Sequence, residues 1–83
     1  MISCSQYDYI EIACLYGIAV ELTLINGNSI SGLALTTSYN QQKQECMEIE
    51  VGGDAVLVPT KQILAMTALC ENPHFTQIEF TQE

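Results

Sequence analysis

Arginine is absent from this 83-residue chain, and Lys43 and Lys61 are its only lysines; ten acidic side chains stand against them, for a net charge of −8. Nucleic acid is held mainly by lysine and arginine neutralising phosphates. Two lysines cannot do that, so no direct nucleic-acid binding is expected. An anionic membrane surface is disfavoured for the same reason. Long apolar runs are also missing: the uncharged stretch Ile12–Val20 falls far short of the roughly 20 residues a membrane-spanning helix requires. Met1–Ser5 has no basic residue and leads directly to Asp8 and Glu11, unlike a secretory signal. The expected setting is therefore cytoplasmic, where Cys4, Cys14, Cys46 and Cys70 stay reduced.

Closely spaced metal ligands are lacking too. Nine, thirty-one and twenty-three residues separate successive cysteines, whereas zinc sites usually draw two ligands from one turn, as in C-x-x-C. Buried structural thiols are the expectation, with no metal and no cofactor. His74 is the only histidine, and no serine or cysteine is tied to it by a local signature of nucleophilic catalysis. Glu48 and Glu50 are paired carboxylates, but on a strand this spacing turns both toward solvent. Gly52-Gly53 is a hairpin turn rather than a phosphate loop. No enzyme is supported.

What is present is apolar substance. Hydrophobic residues make up 48% of the chain, which excludes an acidic disordered tail. The length fits one domain over residues 1–83. From about Ser5 to Tyr16, Ile10, Ala13 and Cys14 fall on one helical stripe with Tyr9, Ile12 and Tyr16 in an adjacent row. Ser5 is placed to cap this helix, with Asp8 three residues on, and Gly17 to end it in a left-handed turn. Tyr7, Asp8 and Glu11 group on one exposed edge. That edge has two readings: acids placed against the positive end of the helix dipole, or a docking surface for a basic partner.

After Gly17 the chain reads as five or six short strands between about residues 19 and 80. Val20, Leu22 and Leu24 alternate with polar residues before Asn26-Gly27, a strong hairpin signal. Ser29–Ser38 follows, with Gly32 marking a bend. Tyr39–Glu45 is a polar loop. Met47, Ile49 and Val51 alternate up to Gly52-Gly53-Asp54, and Ala55–Val58, Ile63–Leu69 and Thr76–Phe80 complete the set. Such a meander must curl to hide its edges. The expected fold is mainly β: a small antiparallel β-barrel with one N-terminal α-helix across an open end.

Ile2-x-Cys4, Tyr7-Asp8, Glu11 and Ala13-Cys14 together resemble the N-terminal signature of the Rho-binding antiterminator family (Rof/YaeO) of bacteria. The resemblance continues through Gly27, Glu45, Glu50, Gly53 and Ile63. It implies an Sm-like barrel and inhibition of the transcription termination factor Rho, by binding Rho's N-terminal primary RNA-binding domain so that RNA cannot engage. An acidic domain complements such a basic RNA site. Carried over by position, the resemblance makes Tyr7, Asp8 and Glu11 the contact residues. Tyr9, which stands where the family can place a polar residue, and Lys43 and Gln44 in the Asn40–Glu45 loop are secondary candidates. The stretch Val56–Pro59 departs from the family in being apolar where relatives can carry charge. The rival reading of an Sm-like domain is an Hfq-like RNA binder, usually a ring; a net charge of −8 per copy would repel RNA and favours a monomer.

Overall fold

Alternating apolar and polar residues from Ala19 onward form six antiparallel strands, and the stripe before them forms one helix. The computed structural model describes residues 4–80. In chain order these are α1 (Cys4–Leu15), β1 (Ala19–Leu24), β2 (Ser29–Tyr39), β3 (Glu45–Val51), β4 (Asp54–Pro59), a short 3-10 turn (Thr60–Gln62), β5 (Ile63–Ala68) and β6 (Gln77–Glu79). Sequence neighbours pair antiparallel except for β4 and β5, and β1 pairs with β5 as well as with β2, giving the order β4-β3-β2-β1-β5-β6.

This order forces the sheet to curl. In a flat sheet β4 and β5 would be four strand spacings apart, about 19 Å. The link from Pro59 to Ile63 reaches at most about 14 Å even when fully extended. Two observed irregularities supply the curvature. The β2–β3 register shifts between Ala34 and Thr36, leaving Leu35 as an extra residue that bends the strand. Gly32, as the sequence suggested, lies where β2 and β3 approach closely: a Cβ there would collide with the Glu50 carbonyl oxygen. The barrel is nevertheless not closed by hydrogen bonding. Among the described residues β4 and β6 remain the two ends of the sheet, because the chain passes from β4 to β5 by a turn instead of a ladder.

The concave face holds the core. Val20, Leu22, Ala34, Met47, Ile49, Val58, Ile63 and Met66 are buried there and meet Ile10 and Ala13 of α1. Gly17 (φ 60°) ends the helix in a left-handed turn. Ile18 N–H donates to Ala13 O at 2.9 Å and Gly17 N–H to Cys14 O at 3.3 Å, the paired bonds of a Schellman cap.

Several positions depart from the sequence reading. The helix stops at Leu15, so Tyr16 leaves the apolar row; it is 59% exposed and stacks on His74, 4.4 Å between ring centroids. At the other end α1 begins at Cys4. Ser5 therefore sits inside the first turn rather than capping it, and the residue before the helix lies outside the described residues. The thiols also divide: Cys46 is buried, Cys14 half-buried and Cys70 exposed. Cys70 follows the end of β5, where no strand remains to cover it.

Candidate functional site

The packing of α1 decides which side chains it presents. Ile10 and Ala13 enter the core, and Gln6 Nε2 donates to the backbone oxygen of Glu79 on β6 at 3.1 Å. With one side thus occupied, Asp8 and Glu11 are left exposed. Neither acid lies in the first helical turn, and the dipole effect fades beyond that turn. The bland reading of these two carboxylates as dipole partners therefore fails.

Tyr7 ties this edge to the sheet. It is half-buried, with the side chains of Thr37 on β2 and Glu45 at the start of β3 beside its phenol. Burial, with the charges of Glu45 and Glu11 in support, pushes the Tyr7 phenol up to about 12. Tyr7 thus lies between α1 and the β2–β3 hairpin, with Glu11 and Glu45 near its phenol.

Glu45, the last residue of the Asn40–Glu45 loop, borders this edge although the sequence reading did not single it out as a contact candidate. A signal existed: Glu45, Met47 and Ile49 share one face of β3, so a carboxylate there must find a partner or reach water. The loop before it is the other candidate. Asn40 Oδ1 accepts from the backbone N–H of Gln42 and of Gln44, both at 2.9 Å. Asn40 Nδ2 donates to Gln44 Oε1 at 2.9 Å. Gln44 is therefore engaged in holding the loop, while Lys43 is exposed in the left-handed region at φ 62°, a conformation costing a non-glycine residue about 1–2 kcal/mol. The loop runs directly into Glu45, so helix edge and loop are adjacent. Tyr9 is not part of this grouping. Two residues on from Tyr7 it faces the other side of α1 and packs edge-on against Phe75, with centroids 6.1 Å apart.

Burial and the nearby Glu11 charge push the Cys14 thiol up to about 11, which leaves it protonated and unreactive at neutral pH. Among the described residues no three histidine, cysteine, aspartate or glutamate side chains come together as a metal-binding group, and no helix is long and apolar enough to cross a membrane.

The model of the family described as modulator of Rho-dependent transcription termination (ROF) matches residues 1–80. The chain belongs to the ROF family. Among solved structures it is similar to YaeO from Vibrio cholerae O395, described as bound to magnesium, with 44% identity, a TM-score of 0.87 and coverage of 90% of this chain and 97% of that one. No curated protein sequence matches. The resemblance carried by Tyr7-Asp8, Glu11 and Ala13-Cys14 thus holds at the level of the ROF family, and the mainly β fold with an N-terminal helix is shared with the YaeO structure. The ROF family regulates Rho-dependent termination and is not a family of enzymes.

The surroundings of Tyr7 and Cys14 give an expectation for stability against pH. Both raised groups hold their protons longer in the folded than in the unfolded chain, so the stability they lend is complete below the unfolded values and is lost as pH rises through the folded ones. For Cys14 the loss runs from about pH 9 to 11, and for Tyr7 from about 10 to 12. Chemical unfolding across pH 7 to 12 should show Tyr7→Phe losing about 1 kcal/mol at neutral pH, as loss of a hydrogen-bonding hydroxyl does. The same variant should flatten the upper part of the alkaline decline; Cys14→Ala should flatten the lower part.

Proposed function

We propose that this protein inhibits Rho by docking the acidic edge of α1 onto Rho's N-terminal primary RNA-binding domain, so that transcripts cannot engage and termination is relieved. Family membership supplies Rho as the partner. The observation that carries the finer reading is the placing of Glu11 and Glu45 near Tyr7, with Asp8 exposed on the same helix and Lys43 exposed in the loop that leads into Glu45. Asp8 and Glu11 pair with lysines or arginines of Rho that otherwise hold phosphates. Lys43 and Gln44 contact the rim, Tyr7 holds the two elements in register, and Tyr9 supports the helix from its far side. The protein acts as a cytoplasmic single-domain monomer, and the remaining carboxylates speed encounter with a basic surface.

Fluorescence anisotropy of labelled oligocytidine on Rho tests this. Adding the protein at low salt should release the oligonucleotide, and raising ionic strength from 0.05 to 0.5 M should weaken that release, since the Debye length shrinks to a few ångströms. Retention of oligocytidine by Rho at saturating protein would overturn the proposal. Tight oligocytidine binding by the protein alone would favour the Hfq-like reading in its place.

A further inference from the structure

The open sheet leaves two edges among the described residues, β4 and β6. β6 has three residues. β4 has six, with a single charge, Asp54, at its start. Edges of this length are ordinarily blunted by charge, proline, a bulge or a covering segment; β4 has Asp54 and Pro59 at its two ends only, and between them it runs along β3 without a register break or a charged side chain.

The turn geometry shows what this edge offers. Gly52 and Gly53 have φ of 59° and 91°, a two-residue hairpin of type I′, which closes on Val51 and Asp54 as a hydrogen-bonded pair. Pairs alternate along an antiparallel ladder, so Asp54, Val56 and Val58 bond to β3. The backbone N–H and C=O of Ala55 and Leu57 therefore point away from the sheet. Pro59 occupies the next outward position, where a missing N–H costs the ladder nothing. On the outer face Ala55 lies beside Glu50 and Leu57 beside Glu48, and Leu57 is 41% exposed.

We propose that the free edge of β4 is a strand-addition site for an extended segment of another protein that presents alternate basic and apolar residues on one face. An added strand would lie one spacing, about 4.8 Å, beyond β4. Opposite Ala55, whose side chain is only a methyl, a lysine or arginine can reach across to Glu50; opposite Leu57 an apolar residue covers the exposed leucine. A second copy of this chain is the poorer occupant, since it would set −8 against −8 with no cation on either edge. The site does not depend on the Rho reading: Ala55 and Leu57 belong to β4, Asp8 and Glu11 to α1.

The probe is the peptide Thr-Val-Thr-Lys-Thr-Val-Thr-Lys, which alternates valine and lysine on one face, with a control in which glutamate replaces both lysines. Amide hydrogen exchange followed by NMR should show Ala55 and Leu57 slowing by about tenfold on addition of the lysine peptide and not of the control. Ala55→Pro removes an outward N–H that the fold does not use and should abolish the effect with little change in unfolding midpoint. Leu57→Lys keeps the N–H, places a repelling charge at the edge and should weaken it; this variant decides the matter if Ala55→Pro misfolds. Equal protection by both peptides, or none by either, overturns the proposal. Protection that rises with protein concentration in the absence of peptide overturns it in favour of self-pairing.

Discussion

Replacing both exposed helix acids, Asp8→Lys with Glu11→Lys, is expected to abolish relief of Rho-dependent termination and to lower affinity for Rho by a hundredfold or more, since breaking a desolvated charge pair costs about 2–5 kcal/mol. The double variant also raises net charge, so its effect must be separated from loss of long-range attraction. Asp54→Lys with Glu71→Lys makes the same change in net charge at two exposed positions off the helix. The control pair should slow association in a salt-sensitive manner and leave dissociation nearly unchanged. Surface plasmon resonance with immobilised Rho reads both rates. Equal losses from the two pairs would mean that net charge alone acts and that α1 is not the interface. The unfolding midpoint should move little in either case, because neither Asp8 nor Glu11 is buried or placed to serve the helix end.

The largest stability effect is expected at Gly32. An alanine methyl there would collide with the backbone oxygen of Glu50 and press on the Val51 side chain. The obstacle cannot swing aside, since β3 is held by ladders to both β2 and β4. Overpacking of this kind costs about 1–3 kcal/mol, and backbone on the opposing side argues for the upper end. For a domain of this size that lowers the thermal midpoint by roughly 10–20 °C. Gly53→Ala meets nothing within 4 Å and is strained only by its positive φ, so it should cost less. A Gly32→Ala midpoint within a few degrees of the parent would show that β2 can shift, and that the bend does not depend on this close approach.

Local signals in the sequence were strong, and the structure follows them closely. The stripe Ile10, Ala13 and Cys14 placed the helix, Gly17 ended it, and Asn26-Gly27 and Gly52-Gly53 marked hairpins that formed. What could not be read depends on distant pairing. Nothing near Leu24 announces that it will pair with Ile63, and the curl follows from that ladder together with the Leu35 bulge. The site divides in the same way. Asp8 and Glu11 were legible from helical spacing alone. That Tyr7 also meets Thr37 and Glu45 was not legible, because these residues reach it only once the β2–β3 register is set.

The position of β1 also governs the order in which the sheet can assemble. It forms a hairpin with β2 across a four-residue connection and a ladder with β5 that joins residues about forty apart. Closing a longer loop costs more entropy before any contact repays it, and non-local pairing slows folding. The β1–β4 meander can therefore form from local hairpins, while β5 and β6 must wait for a chain already folded back on itself. Val20 and Leu22, on the inward face of β1, stay incompletely covered until that last step.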